Sequence, residues 1–168
     1  LQSGETITIT TPFRVKIPLA ITSRMGHVNQ AYKITQWYPK PAVYDQNGWH
    51  PLPYLDMAEF YSEFGSFDVS ITLPENYVVA ASGVLQSKDE IKWLNKKAKE
   101  TKRTYNFDPN EMEIPPSSEK NKTIRYTLDN THDFAWFADK RYHVMKDSVQ
   151  LPGSEKHINT WAFFTNDQ

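Results

Sequence analysis

Cysteine is absent from this 168-residue chain, which excludes disulfides and thiolate metal sites but says little about compartment. Glycine is scarce, with six scattered residues that cannot be assembled into a phosphate-cradling loop. There is no Gly-x-Ser-x-Gly elbow, and no thiol to act as nucleophile. Long apolar runs are missing too; the longest are about one strand in length, too short to cross a membrane as a helix. The formal net charge is -1, so no field of one sign draws the chain toward nucleic acid or an anionic membrane. His27, His50, His132, His143 and His157 never stand three or four residues apart, and no His-Glu-x-x-His occurs. The residues of this chain therefore predict neither a bound metal nor a self-sufficient enzyme.

What is abundant is aromatic and apolar surface: 14% of the residues are aromatic and 39% hydrophobic, enough for a core in one domain spanning 1–168. The stretch from Ile34 to Phe64 concentrates eight aromatic residues and four prolines. Pro39, Pro41, Pro51 and Pro53 exclude a regular helix and a central strand there. A long loop of this kind is expected either to pack as a lid on a sheet or to face a ligand, here through its start at Gln36 to Lys40. Elsewhere period two dominates. Thr6 to Thr10, Phe13 to Ile17, Tyr32 to Tyr38, Phe67 to Leu73 and Thr123 to Leu128 all alternate and read as half-buried strands. In the third of these, period two puts Tyr32, Ile34, Gln36 and Tyr38 on one face and Trp37 on the other. Tyr77 to Ala81, Phe134 to Phe137, Tyr142 to Met145, Ser148 to Leu151 and His157 to Phe164 read as further strands.

Ser87 to Arg103 differs in kind. Ser87 and Glu90 have capping-box spacing, and Ile91, Leu94 and Ala98 fall on one helical face. Seven basic residues fill the rest. Because the apolar stripe is thin and Asp89, Glu90 and Glu100 are interspersed, the helix reads as a solvated insertion rather than a nucleic-acid or membrane element. The fold class expected is all-β: an antiparallel β-sandwich with one inserted basic helix at about 87–103. The carboxylate pairs Glu59 with Glu63 and Asp56 with Glu59 carry no feature that would desolvate or aim them. His132-Asp133, the one His beside a carboxylate in sequence, reads as a capping group on a turn.

Four blocks in order carry a resemblance: Thr35-Gln-Trp-Tyr-Pro39, FYSEFGSFDVSITLP, YVVAASG and NTHDFAWFADKRYHV. Together they resemble the amino-terminal, saddle-like β-domain of the aminopeptidase N family of zinc metallopeptidases, closest to a bacterial branch. The resemblance spans roughly residues 5 to 164. It implies a non-catalytic domain that precedes a thermolysin-like catalytic domain, with zinc held there and no cofactor in this chain. Its implied partners are that catalytic domain and the amino terminus of a peptide substrate. The first strands of such a domain would be expected ahead of Leu1, and the opening LQSGETITIT reads as a trimmed or proteolytic piece. In this family a Gln-x-Gln or Gln-x-Glu segment lines the pocket for the substrate's first residue. The matching residues here are Gln36 and Tyr38, with Tyr38 where the family has an acid or amide. A tyrosine hydroxyl can accept from an ammonium but brings no full charge, so amine capture is expected to be weaker. The alternative is a stand-alone carbohydrate- or peptide-binding module with an aromatic platform of Trp37, Tyr38, Trp49 and Tyr54.

Overall fold

The computed structural model describes residues 2, 4–20, 24–53, 60–104, 106–111 and 113–166. Among them are eleven strands and one helix: β1 (Gly26–Val28), β2 (Ala31–Ile34), β3 (Val43–Asp45), β4 (Gly48–His50), β5 (Gly65–Pro74), β6 (Val78–Ala81), β7 (Val84–Leu85), α1 (Lys88–Arg103), β8 (Asn121–Thr131), β9 (Trp136–Asp139), β10 (His143–Gln150) and β11 (His157–Phe164). All strand pairs are antiparallel, and the fold is all-β with one inserted helix.

Two sheets form the sandwich. One has the order β1-β2-β9-β6 and the other β5-β8-β7. Phe67, Val69, Ile71 and Leu73 pair across β5 and β8 with Leu128, Tyr126, Ile124 and Lys122, and period two turns this whole row inward. The facing sheet contributes Tyr32, Val79, Ala81, Trp136 and Ala138 to the same core, with Phe134 at its centre. Tyr126 ties the two sheets together by donating its hydroxyl to the Val79 carbonyl at 3.2 Å. Burial pushes that phenol's pKa well up, and the Glu90 charge adds to the shift.

A second, smaller core lies under α1. Val78 points away from the sandwich interior and meets Leu94 of α1 and Val144 of β10, flanked by Trp93, Ala98, Trp161 and Phe163. The helix is thus a cover between the sandwich and the β10–β11 ribbon, not only a solvated insertion. Its capping box does not form. Ser87 stands at the N-cap without a side-chain cap bond, because its hydroxyl accepts from the Arg125 amide at 2.9 Å. Glu90 turns inward instead and receives Lys122 at 2.7 Å.

Other expectations from sequence are corrected. Thr6 to Thr10 and Phe13 to Ile17 form no strand, and Ile7, Ile9, Phe13 and Val15 are exposed. Alternation supplies propensity, but a strand also needs a hydrogen-bonding edge. Among the described residues the first ladder contact is the parallel bridge between Leu19 and His27. The two strands expected over 142–151 are one, β10, which forms a ribbon with β11. Inside the proline-rich stretch, β3 and β4 make a hairpin whose turn ends at Gly48 with φ of 102°.

Gly83 shows how tightly the β6–β7 turn sits on β8. Its φ is +84°, and an added Cβ would lie 2.4 Å from the Thr127 carbonyl oxygen. Gly83→Ala is therefore expected to cost about 1–3 kcal/mol through backbone strain and overlap. Chemical denaturation of the variant checks this; an unchanged midpoint would mean that the turn moves freely away from β8.

Candidate functional site

The resemblance blocks far apart in sequence meet in space where β2 ends. Ile34 pairs with Trp136. Trp37 donates its indole N–H to the Phe134 carbonyl at 3.1 Å, and Tyr38 donates its hydroxyl to Asp133 Oδ1 at 3.2 Å. Asp133 Oδ1 also accepts the Phe134 amide at 2.7 Å and pairs with Lys40 at 3.2 Å. The capping role read for Asp133 is present, but the residue does more: it anchors the start of the proline-rich stretch. The Lys40 ammonium lies 5.5 Å from the Tyr38 ring centroid and 5.8 Å from that of Phe60. Lys40 ends the ligand-facing start expected from sequence, whereas Asp133 lies outside it. The signal for Asp133 was its place in the Asn-x-x-Asp-Phe-Ala-Trp block.

Gln36 and Tyr38 do not share a strand face, because β2 stops at Ile34 and Gln36 takes a φ of 52°. Period two therefore does not hold from Ile34 to Tyr38. A non-glycine residue in the left-handed region costs energy and persists where the surroundings dictate it. Here two segments with different packing demands join: Ile34 is buried in the sheet, whereas Trp37 packs on the sandwich core. The left-handed residue between them redirects the chain. The Gln36 side-chain oxygen, Oε1, is buried and has no hydrogen-bond partner, as is the hydroxyl of the adjacent Thr35. Buried polar atoms in folded proteins are nearly always satisfied, so an unpaired acceptor marks a place where a donor is missing.

Tyr38 is half-buried, packed edge-on against Trp37 at 5.3 Å and Phe67 at 5.6 Å. Burial pushes its phenol pKa well above the ordinary value, and the charge and hydrogen bond of Asp133 push it further. The hydroxyl stays protonated across the physiological range, with its proton directed to Asp133 and an oxygen lone pair left to accept. A carboxylate thus stands behind Tyr38, itself paired with Lys40.

A second polar cluster lies beyond Lys40. The β3–β4 hairpin brings His50 Nε2 to 2.8 Å from Asp45 Oδ1, and Tyr61 donates to Asp45 Oδ2 at 3.3 Å. The hydrogen bond from His50, together with the Asn47 amide, holds the Asp45 carboxyl below the usual carboxylate range. This His–carboxylate pair, five residues apart, closes the hairpin, whereas adjacency in sequence singles out only His132-Asp133. Lys40, His50, Phe60 and Tyr61 border a cavity of about 290 Å³ with Pro41, Pro51 and Pro53 around it.

Among the described members of the aromatic platform, Trp49 makes no ring contact with Trp37 or Tyr38. Trp37 packs on the core with Tyr38 edge-on against it, whereas Trp49 is 68% exposed and lies tilted against Tyr44 at 4.9 Å. Tyr54, Asp56 and Glu59 lie outside the described residues. Among the described residues no group of three or more His, Asp or Glu is close enough to hold a metal ion. None of the helices among them is long and apolar enough to cross a membrane. Comparison with protein-family models, with curated proteins and with solved structures finds no match to this chain.

Proposed function

We propose that this chain is a non-catalytic amino-terminal β-domain of a zinc aminopeptidase-like metallopeptidase, lining the first-residue pocket of a peptide substrate beside a catalytic domain outside the chain. The observation that carries the reading is the Gln36 carboxamide. Its oxygen is buried and unpaired on a left-handed backbone, and a substrate amine or amide N–H is the donor such an acceptor lacks. Tyr38, oriented by Asp133, offers a second acceptor two residues on. Zinc and the general base belong to the catalytic domain; the part of this chain is to bind and orient the substrate's amino end.

Two measurements test this. The coding sequence downstream of Gln168 is expected to contain His-Glu-x-x-His followed by a glutamate, and a stop codon there would overturn the reading. In the full-length enzyme, Gln36→Ala is expected to lower kcat/KM about three- to tenfold, the worth of one neutral hydrogen bond, with zinc content unchanged. Gln36→Gly separates side chain from backbone. It suits the left-handed φ, so it should fold at least as stably while losing the same kinetic factor. Unchanged kinetics in both variants would remove Gln36 from the pocket.

A further inference from the structure

The groove between α1 and the start of β8 has no part in that reading. It encloses about 940 Å³, within the size range of small-molecule sites. Its wall carries the indole of Trp93, with the Lys122 ammonium 3.9 Å and the Lys97 ammonium 5.1 Å from the ring centroid. Lys122 is neutralised by Glu90 at 2.7 Å. Lys97 and Lys140 are not: among the described residues neither has a carboxylate within 4.0 Å. Lys140, 6% exposed, donates only to the neutral side chains of Gln30 and Ser117.

The nearby acids are engaged elsewhere. Asp139 is taken by Arg141 at 2.6 Å, Glu100 lies 3.8 Å from Lys96, and Glu75 accepts the Ser118 hydroxyl. Burial lowers the pKa of Lys97 against the opposing pull of the Glu100 charge, so its charged form is held there at a cost. Two sheltered ammonium groups border one groove with no direct ion pair. Lys97 feels Glu100 and Lys140 feels Asp139, but each of these carboxylates lies against another cation. An incoming anion would supply the direct partner that both lack.

We propose that this groove binds a small multivalent anion through Lys97 and Lys140, with the Glu90–Lys122 pair fixing the Trp93 wall. Phosphorylated and polycarboxylate compounds share the required chemistry. The site is independent of the Gln36 pocket, and its failure would leave that reading untouched.

The test is calorimetric titration of the 168-residue chain at low ionic strength with pyrophosphate and, separately, citrate. At least one is expected to bind saturably at one per chain, and the arm that binds tells phosphate from carboxylate chemistry. Lys97→Met keeps most of the stem and removes the charge; it should weaken binding roughly tenfold or more. Lys99→Met removes the same charge from an exposed position outside the groove and should change affinity by less than about twofold, since exposed charges are screened. No saturable binding of either anion, or equal weakening by the two variants, would overturn the proposal. If Lys97→Met fails to fold, lysine acetylation of the unmodified chain decides. The bound anion should protect Lys97 and Lys140 but not Lys99, and uniform acetylation would refute the site.

Discussion

Phe134→Ala is expected to destabilise the domain by about 3–5 kcal/mol, the range for emptying a fully buried aromatic site. Phe134 is 0% exposed and lies at the centre of the inter-sheet core, with ring centroids of Phe67 at 6.0 Å and Tyr126 at 6.5 Å. The neighbours that would have to collapse into the void sit on paired strands of both sheets. The backbone at 134 is pinned as well: its amide is held by the Asp133 carboxylate and its carbonyl by the Trp37 indole. Relaxation is therefore restricted, which places the cost toward the upper part of that range. Urea unfolding should show a lower midpoint with an unchanged slope. Phe134→Leu, nearer in volume, should lose about 1.5 kcal/mol or less. An alanine variant within about 1 kcal/mol of the parent would show that the sheets close over the gap. Because the same residue holds Trp37 and flanks Asp133, the alanine variant should also loosen the Gln36–Tyr38 segment.

The elements legible from sequence are those whose pattern had one solution. Phe67, Val69, Ile71 and Leu73 alternate without interruption, and β5 follows them to Pro74. His157 to Phe164 is β11 with the same bounds. Elsewhere the deciding information lay in tertiary partners. Thr6 to Ile17 has strand propensity but no edge to pair with among the described residues. The β3 and β4 strands have three residues each, too short for periodicity to register between prolines. Only Asn47-Gly48 marked the turn. Glu90 has capping-box spacing from Ser87, yet Lys122, 32 residues along the chain, claims it. In the candidate site Trp37 packs on the sandwich core, and the period that places Gln36 beside Tyr38 is broken by the Gln36 φ of 52°. Left-handed backbone at a glutamine has no local sequence signal; it follows from the demands of Ile34 and Trp37 on either side.

Lys122→Met is the second large effect expected, at about 3–5 kcal/mol near neutral pH, because it strands a buried carboxylate. The Lys122 side chain is 15% exposed and that of Glu90 6%. Lys122 occupies an inward position of β8 opposite Leu73, where alternation would place an apolar residue. Methionine preserves most of the stem beside Trp93 but leaves Glu90 without its cation. The pH dependence identifies the cause. Burial already holds the Glu90 carboxyl above its ordinary range, although Lys122 pulls the other way through its hydrogen bond and charge. A carboxyl raised by folding binds its proton more tightly in the folded state. The stability it contributes is complete below its unfolded pKa of about 4.3 and is lost as pH rises through the folded value. Removing Lys122 deletes both opposing influences, raises that value further and widens the window of loss. The deficit of the variant should thus be smallest near about pH 4.5 and grow toward about pH 8. Lys122→Met combined with Glu90→Gln removes the stranded charge and should recover most of the loss, flattening the profile. Urea unfolding of the parent, the single and the double variant across this range checks the set. A pH-independent deficit, or a double variant no better than the single, would show that Lys122 acts through packing on Trp93 rather than through Glu90.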